Sequence, residues 1–282
     1  MTTVLETLDK GTAYLTKKGI EEARRNMQLL VAHQLSCTRM DLYLRFDQPM
    51  EESDLAPLRE LLKKRGEGVP IQHLLGTVQF HRRDFKTDAR ALIPRPETEE
   101  LAEWLLKNAK LPESPRILDM GCGSGVLGLT LAGEIPSARV VLADVSAEAL
   151  SLTRENAALL EITNAEFVES DLFAALGDRS FDLIVANLPY VPEADRHTLA
   201  KELAYDPELA LFSGVDGLDL IRRFVPEAAQ RLLPGGWPAL EIGIHQAAQT
   251  EALLGGAGLT DLLTLKDLSG IPRFPTARRS AI

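Results

Sequence analysis

The sequence predicts an α/β protein in which a mostly parallel sheet is covered on both faces by helices and preceded by a small helical segment. Three observations carry this expectation. After Pro94, short apolar runs alternate with stretches of helical periodicity, the order that produces parallel strands joined by crossover helices. Runs such as Phe181-Asp182-Leu183-Ile184-Val185-Ala186 are apolar nearly throughout, as expected of strands buried on both faces. Before about Gly76 the apolar spacing is helical instead.

In the first stretch Leu29, Leu30 and His33 share helical spacing, followed by Leu55, Leu58, Leu61 and Leu62, with Ser53 or Asp54 placed to cap the second helix. A helical domain is therefore expected over 1–76. Gly66-Glu67-Gly68-Val69-Pro70 marks its end. Thr77-Val78-Gln79-Phe80 and Asp84-Phe85-Lys86-Thr87 read as two short strands, giving a β-hairpin connector over 77–95. From 96 to 282 the spacing predicts a helix over 99–107, a strand over 116–120, a helix from Val126, a strand over 140–144 and a helix over 147–160. Strands over 166–169 and 181–186, a helix over 218–232 and a strand over 237–242 follow, and 259–268 with 274–278 supply a final antiparallel pair.

The composition bounds the function. A chain of 282 residues can bury a sizeable core, and its net charge of -10 speaks against a broad nucleic-acid footprint. Cys37 and Cys122 are far apart and lack the spacings of disulfide frameworks or zinc sites, so a reducing compartment is expected. The five histidines form no ligand-spaced pair, and no metal is expected. With neither a leader-like start nor a long apolar segment, the reading is a soluble cytoplasmic protein without a membrane association, expected to be a monomer.

Asp119-Met120-Gly121-Cys122-Gly123-Ser124-Gly125 lies between the 116–120 strand and the helix from Val126, where a glycine turn lets a ligand approach backbone amides. Asp144 closes the next strand, placed to accept hydrogen bonds from both ribose hydroxyls of an adenosine cofactor. Gly123-Ser124-Gly125-Val126-Leu127-Gly128 also satisfies the dinucleotide pattern, which is weak alone. Two features tip the reading to S-adenosylmethionine: Asp119 would repel a pyrophosphate but suits a cationic amino-acid moiety, and Asn187-Leu188-Pro189-Tyr190 ends the fourth strand. Cys122 is read as a small residue between glycines, not as a nucleophile.

The Asn-Leu-Pro-Tyr element suits methyl transfer to a planar nitrogen. Such a nitrogen has its lone pair delocalised, and two acceptors, the Asn187 side-chain carbonyl and the Leu188 backbone carbonyl, can hold its N–H groups and draw it toward tetrahedral geometry. Pro189 aims the Leu188 carbonyl by restricting that residue's backbone. Tyr190 offers a flat surface for the amide or base.

Leu92-Ile93-Pro94-Arg95-Pro96-Glu97-Thr98-Glu99, the 119–125 turn, Asp144 and Asn187-Leu188-Pro189-Tyr190 together resemble the release-factor glutamine N5-methyltransferase family, the HemK type. The similarity extends through the helical start, the Gly-Val-Pro-Ile-Gln-His-Leu-Leu-Gly stretch at 68–76 and the 214–219 segment. The resemblance implies a class I methyltransferase fold, a mostly parallel seven-stranded sheet, and methylation of the glutamine in the Gly-Gly-Gln motif of peptide chain release factors with S-adenosylmethionine. It further implies that Asp119, Gly121, Cys122, Gly123, Ser124, Gly125, Asp144 and Asn187 contact the cofactor, with Asp171 and Leu172 beside the adenine, and that Asn187, Leu188, Pro189 and Tyr190 receive the glutamine. Leu188 stands where the family usually has proline, and Leu172 where an aromatic residue often sits. Glu97 is a candidate for the cofactor-side wall or simply a helix start, and Glu202, Tyr205, Asp206, Pro207 and Glu208 for the entrance or a solvated helix end.

Two other readings stay open. One is a nucleic-acid adenine-N6 methyltransferase acting on rRNA or DNA, since Asn-Leu-Pro-Tyr also occurs in rRNA adenine dimethyltransferases, although these begin their glycine turn near the N-terminus, whereas Gly121 here follows a long leading segment. The other is a non-catalytic cofactor-binding module.

Overall fold

The computed structural model describes residues 2–198 and 200–281. The chain forms two compact units, Met1–Thr77 with Ala200–Tyr205, and Val78–Leu199 with Asp206–Ile282. The short Ala200–Tyr205 segment is thus part of the first unit, although its position in sequence falls within 96–282.

The first unit is built from α1 (Val4–Lys17), α2 (Ala23–Gln34), α3 (Glu52–Gly66) and α4 (Ile71–Leu75). Leu8, Leu15, Met27, Leu30, Leu42 and Leu58 meet in its apolar core. The Thr3 hydroxyl caps α1 by accepting from the Glu6 amide at 3.3 Å. At Ser53 and Asp54 the structure corrects the expected cap. Glu51 already takes the extended N-cap conformation and its carbonyl accepts from the Leu55 amide, so both residues lie inside the first turn of α3. There Glu52 and Asp54 complement the helix dipole instead.

Arg65, near the end of α3, is buried to 3% exposure. Its Nε donates to Asn26 Oδ1 at 2.7 Å, one terminal nitrogen donates to the Val69 carbonyl at 2.9 Å, and the other pairs with the Glu202 carboxylate. A buried guanidinium needs such a set of acceptors, because an unpaired charge out of water is costly.

Apart from Thr77, which belongs to the first unit, the second unit begins with paired strands β1 (Thr77–Phe80) and β2 (Arg83–Lys86), then α5 (Pro96–Asn108), β3 (Arg116–Met120), α6 (Val126–Glu134), β4 (Arg139–Asp144), α7 (Ala147–Leu159) and β5 (Ala165–Glu169). β6 (Phe181–Ala186), α8 (Asp219–Arg231), β7 (Leu232–Leu240), α9 (Ala247–Gly256), β8 (Thr260–Lys266) and β9 (Pro272–Arg278) complete it. Strands β3 to β9 form a seven-stranded sheet in the order β5-β4-β3-β6-β7-β9-β8. Strands β5, β4, β3, β6 and β7 pair in parallel, and β9 runs antiparallel to both β7 and β8.

Successive residues on a strand point to opposite faces, and here both faces are covered. Leu118, Met120 and Ile184 pack with Ile221 and Phe224 of α8. Ile117, Leu142 and Val185 pack with Leu101 of α5 and Leu129 of α6. The near-continuous apolar runs of β3, β4 and β6 follow from this double burial.

Three elements differ from the expectation. Helix α5 starts at Pro96 rather than near residue 99, since the first turn has no need of the missing N–H. Strand β7 begins at Leu232, before Pro234-Gly235-Gly236, and the register slips between Phe181 and Leu183 to absorb those breakers. Helix α9 has no counterpart in the sequence reading, because Ala-Ala-Gln-Thr-Glu-Ala-Leu-Leu-Gly-Gly carries no one-sided apolar stripe.

Packing is tight where α6 crosses the sheet. A Cβ built on Gly128 would lie 2.8 Å from Asp119 Oδ2 and 2.9 Å from Leu142 Cδ2. Gly128→Ala should therefore destabilise the protein by about 1–3 kcal/mol through overpacking, although alanine in a helix interior would by itself be worth ~1 kcal/mol over glycine. Urea unfolding measures the balance, and a variant as stable as the wild type would show that α6 is free to move off the sheet.

Candidate active site

The order of the sheet reverses at β3. The chain proceeds from β3 to β4 and β5 on one side, then returns to β6 and β7 on the other. The crevice beyond the carboxyl ends of β3 and β6 is where open α/β sheets receive ligands. The 119–125 turn and Asn187 are at these strand ends, and Asp144 is at the carboxyl end of the adjacent β4.

The turn is fixed from several sides. The amides of Gly121 and Cys122 both donate to the Ala143 carbonyl, at 2.8 and 3.1 Å. Gly121 has φ +69, and a Cβ there would come within 2.9 Å of Leu188 Cδ2, so only glycine fits. Gly125 takes the left-handed conformation that opens α6. Asp144 Oδ2 accepts from the Gly123 amide and Oδ1 from the Ser146 amide, each at 2.9 Å, and the carboxylate keeps acceptor capacity beyond these bonds. Burial raises the Asp144 pKa, opposed by these amide donors.

Asp119 is buried, and its Oδ2 accepts from the Gly128 amide at 2.8 Å. Burial pushes its pKa up to about 7; the Gly128 hydrogen bond opposes the shift and the Asp144 charge adds to it. The Cys122 thiol is raised by burial and by Asp119 and Asp144, so it stays protonated and unreactive.

Beside these residues opens a cavity of ≈ 320 Å³ whose walls include Asp144, Asp171, Leu172, Leu188, Pro189 and Leu209. Leu172 is held at φ +49, a conformation costing a non-glycine residue roughly 1–2 kcal/mol. The Ser170 hydroxyl, donating to the Leu172 carbonyl at 2.6 Å, helps to hold it there. The Asp171 carboxylate pairs with Arg223 at 2.8 Å at the exposed rim. A smaller pocket of ≈ 60 Å³ shares Gly121 as a wall and is lined by Asp119, Cys122, Ser124, Thr98 and Asn187.

Asn187 follows the last residue of β6, and its Nδ2 donates to Thr98 Oγ1 at 3.1 Å. Leu188 is buried, with its side chain in the core cluster beneath the sheet end. Tyr190 lines neither of these two cavities. Its hydroxyl donates to Glu241 Oε1 at 3.4 Å, and its carbonyl accepts from Gln246 Nε2 at 2.9 Å. Burial, reinforced by the Glu241 charge, raises the phenol's pKa well above its usual value.

The entrance candidates separate. Asp206 is buried and accepts from the Ile93 amide at 3.1 Å and from Arg95 at 2.9 Å, while Pro207 lines the larger cavity. Glu208 pairs at the surface with Arg196, Glu202 with Arg65 in the first unit, and Glu97 lines neither cavity. Tyr205 is partly exposed and belongs to the first unit.

Three residues beneath the motif make contacts that the sequence did not assign: Thr98, quoted only within the 92–99 segment, Glu241 and Gln246. Gln246 ties the Tyr190 carbonyl to that of Asp216 and accepts from the Gly243 amide. The one available signal was an acid, Glu241, directly after the apolar end of β7.

Residues 6–76 match the family model of the PrmC N-terminal domain, and residues 97–214 that of the Methyltransferase small domain. Over 277 residues the chain is 39% identical to a release factor glutamine methyltransferase of Geobacter sulfurreducens, covering 98% of this chain and 96% of that one. Over 273 residues it is 42% identical to a protein of the same name from Deinococcus radiodurans, covering 97% of each. The chain belongs to the release factor glutamine methyltransferase family. Its fold is that of class I S-adenosylmethionine-dependent methyltransferases. A T. Thermophilus 16S rRNA N2 methyltransferase in complex with AdoMet and guanosine shares the fold at TM-score 0.51 and 23% identity, over 72% of this chain and 49% of that one. A Pyrococcus furiosus methyltransferase does so at TM-score 0.51 and 16% identity, over 70% of this chain and 89% of that one.

The cofactor of this release factor glutamine methyltransferase family member is S-adenosylmethionine, and the residues present fit it. The larger cavity is of small-ligand size, its wall carries a carboxylate with lone pairs to offer at Asp144, and the adjoining pocket contains the acid Asp119.

Asp119 and Glu241 predict a pH signature. A carboxyl whose folded pKa exceeds its unfolded value contributes stability that is full below the unfolded pKa and is lost as pH rises through the folded one. Burial raises both Asp119 and Glu241 to about 7. The melting temperature of the ligand-free protein should therefore fall as pH rises from about 5 to about 8, and Asp119→Asn should reduce that fall. Parallel wild-type and variant profiles across this range would refute it.

Proposed function

We propose that this chain transfers a methyl group from S-adenosylmethionine to the N5 amide nitrogen of the glutamine in the Gly-Gly-Gln motif of peptide chain release factors. The observation that carries this reading is the end-to-end similarity, through both units, to proteins named for that activity. The site supports it with an acceptor-rich strand end of the kind an amide nitrogen requires.

When bound, S-adenosylmethionine supplies an electrophilic methyl on its sulfonium. Asp144 would hold the ribose hydroxyls, Asp171 and Leu172 would border the adenine, and the 119–125 turn with Asp119 would receive the amino-acid end. Asn187 and Leu188 each present a carbonyl oxygen to one N–H of the glutamine amide. This localises the nitrogen lone pair toward the methyl and aligns it for in-line attack. Pro189 fixes the direction of the Leu188 carbonyl, so leucine in place of the family's usual proline keeps the contact that matters. After transfer the nitrogen would lose its surplus proton to water or a nearby carbonyl.

The helical 1–76 domain grips the release factor, the 77–95 hairpin connects it, and 96–282 carries the chemistry. The enzyme acts in the cytoplasm as a monomer and without binding nucleic acid, in keeping with its net charge of -10. No helix among the described residues is long and apolar enough to cross a membrane.

Labelled methyl should appear on a purified release factor and vanish when the target glutamine is changed to alanine; label on RNA instead would sink the assignment. Asn187→Ala should keep its melting temperature and lose about 10²–10³ in kcat, the size expected when an orienting polar group is removed from a buried site. A variant retaining most of its turnover would remove Asn187 from the chemistry.

A further inference from the structure

A carboxamide is nearly symmetric in shape, so packing alone does not decide whether its oxygen or its nitrogen faces a ligand. Its hydrogen-bond partners do. At Asn187 the partner is Thr98, in the first turn of α5, whose Oγ1 lies 3.1 Å from Asn187 Nδ2. A threonine hydroxyl has one hydrogen to give. Here it goes to Glu241 Oε2, at 2.6 Å. With that hydrogen committed, Thr98 can only accept from Asn187, which must turn its NH₂ inward and its oxygen away.

Glu241 follows the last residue of β7, and its amide continues the sheet by donating to the Ala186 carbonyl at 2.9 Å. Nothing in the strand pairing requires an acid there. Thr98 and Glu241 are 4% and 2% exposed, so burial of the carboxyl is costly and water is poorly placed to replace either partner. The other oxygen, Oε1, meets the Tyr190 hydroxyl at 3.4 Å. One carboxyl group thus contacts both ends of the Asn-Leu-Pro-Tyr element, directly at Tyr190 and through Thr98 at Asn187.

We propose that Thr98, polarised by Glu241, is a positioning residue that sets the Asn187 carboxamide with its oxygen toward the target nitrogen. The inference rests on the function proposed above, in which Asn187 must offer an acceptor. With the amide reversed, its NH₂ would face the N–H groups of the substrate, and the contact would be repulsive.

The test is a series at position 98 in the full-length enzyme, assayed with S-adenosylmethionine and a release factor. Thr98→Val keeps the shape and removes the hydroxyl, and Thr98→Ser restores it; Thr98→Ala serves in its place should valine prevent folding. Loss of the hydroxyl should lower kcat by about ten- to a hundredfold, as expected for a group that orients another. The KM for the release factor and the Kd for S-adenosylmethionine should stay within about twofold, and serine should recover most of the rate. Turnover within about twofold of wild type in the hydroxyl-free variant would overturn the proposal. So would a loss that serine does not rescue, or one matched by an equal loss of cofactor affinity or by a collapse in melting temperature. A wild-type enzyme that labels no release factor overturns the function itself, and this inference with it, whereas active wild type beside equally active Thr98→Val overturns the positioning role alone.

Discussion

The close approach of α6 to the sheet is the constraint from which the site follows. Gly128 lets the helix come down until its amide meets the Asp119 carboxylate at 2.8 Å, and the chain between them has room only for a tight, glycine-rich turn. The Ala143 carbonyl and the Asp144 carboxylate then hold that turn against β4. A backbone tied from three directions tolerates the positive φ values it contains, since the surrounding bonds over-determine it. The result is a rigid rim at the sheet's reversal point, with the cavity on one side and Asn187 on the other.

The same economy governs the second strand end. Leu188 fills the space left by the missing Cβ of Gly121, so the turn after β3 and the motif after β6 shape each other. Asp206 draws the chain back to Ile93 and Arg95 after its excursion, which brings Pro207 to the cavity wall. Gln246 pins the motif from beneath through two backbone carbonyls. The groups offered to ligands thus lie on short segments whose backbones are held by residues distant in sequence.

That separation explains what could be read from the sequence. Strands β3, β4 and β6 were legible because burial on both faces makes them apolar at nearly every position. The glycine turn, Asp144 and Asn187-Leu188-Pro189-Tyr190 were legible because each is a local pattern at a strand end. Thr98 and Glu241 lie 143 positions apart, and only the completed sheet makes them neighbours. Thr98 stood in the sequence only as one residue of the 92–99 segment, with no role of its own. Helix α9 and the beginning of β7 were hidden for opposite reasons, the first by apolar residues without a preferred face and the second by proline and glycine inside a strand.

The guanidinium of Arg65 has a consequence for how the chain matures. Its counter-charge, Glu202, is supplied by Ala200–Tyr205, a segment synthesised only after β3, β4, β5 and β6. On an emerging chain the four N-terminal helices can collapse around their leucines early, but they enclose a cation still lacking one of its three acceptors. The first unit to be translated is therefore complete only once Tyr205 has emerged, and a fragment cut at the apparent boundary near Thr77 leaves behind the piece that completes it.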